Sequence, residues 1–150
     1  MEQRVNIHEK GQGALKTLYG VGGYLKKSPV EQKLLELVYF RVSQINGCAY
    51  CLDMHSKDLR AGGETEQRLY GISAWRETPY YSDRERAALA WAEAVTNCHV
   101  PDAVYNGTKA QFSDEELIDL TFAITTINTW NRLNLAFPNG VGTYRVGQFG

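Results

Sequence analysis

Three apolar stretches of this chain are each headed by the pattern Ser-x-x-Glu: Ser28-Pro29-Val30-Glu31, Ser82-Asp83-Arg84-Glu85 and Ser113-Asp114-Glu115-Glu116. Such a capping box satisfies two of the orphan amides at a helix start, through the Ser hydroxyl and the returning carboxylate. In the first box Pro29 takes the first helical position, where a missing N–H costs nothing. The pattern predicts helices from about Pro29 to Gln44, from Asp83 to about Thr96 and from Asp114 to about Ala136. A further helix starts near Cys48 and stops at Gly62-Gly63, a left-handed terminus. Shorter helical pieces fit Glu9 to Leu25, Glu64 to Gly71 and Pro101 to Gln111, about six to seven helices in total. No segment alternates cleanly enough to demand a strand. TFAITTINTW is β-rich in composition, yet its capped start and length read as a buried helix. The expectation is an all-α single domain over residues 1–150.

That length should bury about 70% of the unfolded surface, so the core needs no disulfide staple. Net charge is −1 from 16 basic and 17 acidic residues, with no run of one sign. This pattern suggests neither a nucleic-acid nor a membrane partner. The start, MEQRVNIHEK, lacks the apolar stretch of a secretory signal, which makes the cytoplasm the default compartment. Three cysteines suit neither a disulfide scaffold nor a secreted protein.

Two of those cysteines lie in NGCAYCLDMHS, residues 46–56. Cys48, Cys51 and His55 are spaced for one helical face. Asn46-Gly47 is turn chemistry, which places Cys48 in the first turn, where free amides and the helix dipole favour a thiolate. His55, one turn beyond Cys51, is a natural base. Glu36 interrupts an otherwise apolar run from Leu34 to Phe40. If the two helices form an antiparallel hairpin about Asn46-Gly47, Glu36 and His55 sit at axial levels about 5 Å apart. A carboxylate in apolar surroundings has a partner or a task, and Glu36 with His55 can form a proton relay to a thiol.

Three readings of this cluster compete. The cysteines can simply pack, since a buried cysteine is a common small core residue. Zinc can bind Cys48, Cys51 and His55, with Cys98 or His99 as a fourth ligand. Against zinc, Cys98 and His99 are adjacent rather than a well-spaced second pair. The third reading is dithiol redox chemistry, which the joint spacing with Glu36 favours.

Glu36-x₁₁-Cys48-x₂-Cys51-x₃-His55 resembles the active-site signature of the AhpD-like alkylhydroperoxidases, within the carboxymuconolactone decarboxylase superfamily. The resemblance extends through INGCAYCLDMHSKDLRAGGETEQRLYGISAWRETPYYSDRERAALAWAEAVT, HVPDAVY and INTWNRL. It implies a helical domain forming homo-oligomers, trimers or hexamers, and peroxide reduction with neither metal nor cofactor. Carried over, Cys51 attacks the peroxide, Cys48 resolves the sulfenic acid, and Glu36 with His55 moves protons. Well-known members have histidine between the cysteines; here Tyr50 stands there, as an accessory hydrogen-bond donor or without a catalytic part. Members that decarboxylate lactones lack the cysteine pair. The resemblance also implies a dithiol reductant, such as a lipoyl group on a partner protein. The alternative of another class is a non-catalytic redox or zinc sensor built on the same cysteines.

Helix electrostatics favours Cys48 as the more acidic thiol, whereas nearness to His55 and Glu36 favours Cys51 as nucleophile. Trp75, Trp91, Trp130 and the tyrosines read as core or subunit interface. Asn128, Trp130, Asn131 and Arg132 line either a pocket or an interface. The glycine-rich stretches GQGALKTLYGVGG and FPNGVGTYRVGQFG read as turns and tails exchanged between subunits.

Overall fold

A computed structural model of the chain describes residues 4–138 and 140–149. Among these described residues eight α-helices follow one another: α1 (Ile7–Lys10), α2 (Gln12–Leu25), α3 (Gln32–Asn46), α4 (Ala49–Ala61), α5 (Glu66–Gly71), α6 (Asp83–Thr96), α7 (Asp102–Lys109) and α8 (Asp114–Ala136). A 3₁₀ segment, Ile72–Glu77, continues from α5. Among the described residues there is no strand, and TFAITTINTW lies within α8. No described helix is long and apolar enough to cross a membrane.

α3 is the central element, buried by α4, α6 and α8. One core layer brings Leu35, Val38 and Val42 of α3 against Ala88 of α6 and Leu120 and Ile124 of α8. A second packs Leu37 with Leu59 of α4, Ile72 and Trp75 of the 3₁₀ segment, and Leu89 of α6. Each fully buried Leu or Ile of this kind contributes roughly 1.5–3 kcal/mol. With apolar residues facing both layers, only a narrow strip of α3 remains for polar groups, and Glu36 lies on it.

Two of the three capping boxes form as the sequence predicts, Ser82 with Glu85 and Ser113 with Glu116. The third does not. α3 begins only at Gln32, with Glu31 at its N-cap and no side-chain cap bond. The Ser28 hydroxyl instead donates to Asp119 Oδ2 at 2.5 Å, and Glu31 pairs with Arg84. The Ser28 oxygen still accepts the Val30 N–H at 3.2 Å, a local turn rather than a helix cap, while its proton goes to a buried carboxylate on α8. The first predicted helix is also divided, because the chain breaks at Gly11 between α1 and α2. This break accounts for eight helices where six to seven were expected. GQGALKTLYGVGG, read as turns and tail, is mostly the helix α2. The C-terminal stretch consists of turns; its Asn139 and Gly150 lie outside the described residues.

Candidate active site

The α3–α4 connection sets the site. Gly47 ends α3 at φ 68°, a left-handed conformation that glycine adopts without strain. The chain then reverses and Cys48 becomes the N-cap of α4, its Sγ accepting the Cys51 backbone N–H at 3.4 Å. Cys51 follows one turn later, and its Sγ lies 2.6 Å from that of Cys48. Both cysteines are free thiols and buried.

One proton is shared unequally by this pair. The hydrogen bond from the Cys51 thiol, above all, draws the Cys48 thiol down to about 6 against the opposing cost of burial. The Cys51 backbone amide and Asn131 add to the pull, as does His55 once its ring carries a proton. Cys51 is pushed up, first by holding the proton that it gives to the Cys48 sulfur, then by burial and the Cys48 charge. These shifts favour the pair's negative charge on Cys48, at the helix start, in line with the dipole argument.

A cavity lies on the side of the other sulfur, although both cysteines are fully buried. It has a volume of about 670 Å³, and its wall includes Cys51, Tyr50, His55 and Glu36 but not Cys48. Apolar and aromatic side chains supply much of the remaining wall, among them Tyr19, Met54, Ile127 and Trp130. Trp130, taken from sequence as core or interface, belongs to this wall and stacks on Tyr19 at 5.7 Å. Tyr50 is half-buried beside Cys51, where burial raises its phenol.

Glu36 and His55 are joined directly, Oε2 to Nδ1 at 2.7 Å. His55 is 6% exposed and its other nitrogen, Nε2, is buried without a hydrogen-bond partner. With Nδ1–H donated to Glu36, Nε2 of the neutral ring carries a lone pair ready to take a proton. An orphaned buried polar atom is rare enough to indicate a task. Tyr39 covers the ring at 5.2 Å, neutral because burial raises its phenol far above the ordinary value.

Sequence reasoning missed several neighbours. Asn134 donates to Cys51 Sγ at 3.5 Å. Asn131, fully buried, bonds Ser43 and accepts from Asn46. Asp58 receives the Tyr144 hydroxyl at 2.8 Å, and burial holds its carboxyl above the usual range. Tyr144 comes from the C-terminal turns, which Lys57 ties down through the carbonyls of Gly142 and Tyr144. Asn128 and Arg132, candidates for pocket or interface, bond each other, and Asn128 also reaches Asn46.

The four-ligand zinc arrangement is not assembled. Cys98 is exposed beyond the end of α6 with a left-handed φ of 55°, and His99 is exposed beside it. Among the described residues the group of three metal-capable side chains is Glu36, His55 and Asp58, which includes neither cysteine.

Comparison with known proteins settles the family. The pattern of the Carboxymuconolactone decarboxylase family matches residues 12–94, which contain the whole Glu36–His55 constellation. The chain belongs to this family. It is 41% identical to the uncharacterized protein YdfG of Bacillus subtilis (strain 168) over 142 residues, 93% of this chain and 97% of that protein. A solved structure from Agrobacterium tumefaciens, of a protein of unknown function proposed to be the antioxidant defence protein AhpD, superposes with a TM-score of 0.90. It shares 38% identity, covering 95% of this chain and 100% of that one. The debrominase Bmp8 shares the fold at a TM-score of 0.80 and 20% identity, over 90% of this chain and 74% of its own. Within the family, this chain is an AhpD-like member.

Proposed function

We propose that this protein is a thiol-dependent peroxidase, an alkylhydroperoxidase that reduces organic hydroperoxides through Cys51 and Cys48. The observation that carries the reading is that Cys51, alone of the touching sulfurs, lines a large cavity which His55 and Glu36 also line.

The chemistry needs no group outside the chain until the last step. The Cys51 thiolate attacks one peroxide oxygen, the O–O bond breaks, and the alkoxide leaves as an alcohol with a proton. His55 Nε2 is the group that holds and returns that proton, while Glu36 fixes the ring's tautomer. Cys51 is now a sulfenic acid, two electrons oxidised. Cys48, at 2.6 Å, attacks that sulfur and closes a disulfide, and the displaced hydroxide leaves as water with a proton from solvent. An external dithiol then reopens the disulfide by exchange, and a lipoyl-type carrier on a partner protein fits this requirement. The apolar wall of Met54, Ile127 and Trp130 favours a carbon-bearing hydroperoxide over hydrogen peroxide.

The test is peroxide consumption by the purified protein with a dithiol present. The wild type should turn over cumene hydroperoxide, and Cys51→Ser should not. A wild type that forms the disulfide slowly and never turns over would favour the redox-sensor reading instead.

A further inference from the structure

We infer that Asn134 is a catalytic hydrogen-bond donor to Cys51, placed to receive the negative charge when it moves onto that sulfur. This rests on the reading above that Cys51 attacks the peroxide.

The shifts within the pair favour its charge on Cys48, yet the sulfur that faces the cavity is Cys51. Attack therefore requires the pair's proton to leave Cys51, with its charge appearing on a sulfur that is fully buried as a residue. A buried thiolate needs donors. Asn134 supplies one: its Nδ2 lies 3.5 Å from Cys51 Sγ and 3.0 Å from the Trp130 carbonyl oxygen. The amide has two hydrogens, one for each acceptor. Its orientation is fixed, because the flipped amide would set Oδ1 against the Trp130 carbonyl. Asn134 also lines the cavity, so its donor meets Cys51 at the point where substrate arrives.

Asn131, one turn earlier on α8, acts on both sulfurs and lowers both thiols. Asn134 lowers Cys51, so it shifts the balance within the pair toward the attacking atom. A neutral donor suits the task. Lowering a thiol by one unit raises its thiolate fraction about tenfold below its pKa. Intrinsic nucleophilicity falls only about threefold, for a Brønsted slope of roughly 0.4–0.5.

The experiment isolates Cys51 in the full-length Cys48→Ser/Cys98→Ser protein and follows thiolate absorbance near 240 nm against pH. Asn134→Leu, which keeps the branched outline without the donor, should move the titration of Cys51 up by about one unit or more. Asn134→Asp, which adds a like charge, should move it further, and Asn134→Gln should recover part of the loss. The Asp and Gln variants keep the question open to refutation should the Leu variant fold poorly. Titrations that coincide across Asn134, Leu and Asp would overturn the assignment. No peroxide enters this measurement, so a titration shift in a protein inert toward peroxides would uphold Asn134 as the donor and remove the peroxidase reading.

Discussion

Glu36 and His55, 19 residues apart in the chain, meet at 2.7 Å between Oε2 and Nδ1 where α3 and α4 run side by side. The contact leaves a single ring nitrogen, Nε2, facing the interior without a partner. His55→Ala should therefore slow peroxide reduction by about 10²–10⁴-fold, the usual worth of general acid–base help. Glu36→Gln should cost less, since an amide oxygen still accepts from Nδ1–H. Single-turnover rates would show this ordering, and equal rates in wild type and His55→Ala would remove the relay.

The cysteine pair gives stability a defined pH profile. Cys48 titrates near 6 in the folded reduced protein and near 8.5 when unfolded, so its share of stability is full above about 8.5 and lost as pH falls through 6. Cys51 is raised, so the folded state keeps its proton above 8.5 while the unfolded chain releases it, and stability then declines. Urea unfolding of reduced protein, minus the same series for Cys48→Ala/Cys51→Ala, should rise from pH 6 to a maximum near 8.5 and fall beyond it. A flat difference would mean that no proton is shared.

The partnership of Ser28 with buried Asp119 predicts energetic coupling across 91 residues of sequence. Ser28→Ala removes one of the two hydroxyls that donate to that carboxylate among the described residues and should cost about 1–3 kcal/mol. Ser82→Ala, a true cap, should cost about 0.5–2 kcal/mol. In a double-mutant cycle Ser28→Ala with Asp119→Asn should be non-additive by at least about 0.5 kcal/mol. Strict additivity would return Ser28 to the role of a cap.

Ser28 also shows where sequence reading stops. Ser82 and Ser113 are legible as caps because the donors their hydroxyl oxygens accept from are amides of the same helix, three residues on. Ser28 carries the same local signal, but its oxygen accepts from Val30 and its proton goes to a carboxylate on α8 that no window around residue 28 contains. The Glu36–His55 contact is legible because one tight turn and the helical rise fix the register of α3 against α4. Asn134 and Tyr144 are not, since they reach Cys51 and Asp58 across 83 and 86 residues. Their positions follow from the packing of α8 and the tethering of the C-terminal turns, which no local pattern encodes. The charge on Cys48 was legible from its place at the helix start; its exclusion from the cavity wall was not.

Ile118 and Phe122, one turn apart on α8, are 57% and 53% exposed. Such a pair suits burial against another copy of the chain. Light scattering of the wild type should report a closed homo-oligomer, a trimer or hexamer, and Phe122→Asp should shift it toward monomer. A strictly monomeric wild type at micromolar concentration would contradict this.

The division of labour between the two sulfurs is tested most directly by trapping the sulfenic acid with dimedone after one equivalent of cumene hydroperoxide, and locating the adduct by mass spectrometry. In Cys48→Ser the adduct should fall on Cys51, which faces the cavity, and in Cys51→Ser none should form on Cys48. An adduct on Cys48 in the Cys51→Ser protein, with Cys51 unmodified in Cys48→Ser, would contradict the account. Resting charge at the helix start, rather than access to the cavity, would then select the nucleophile.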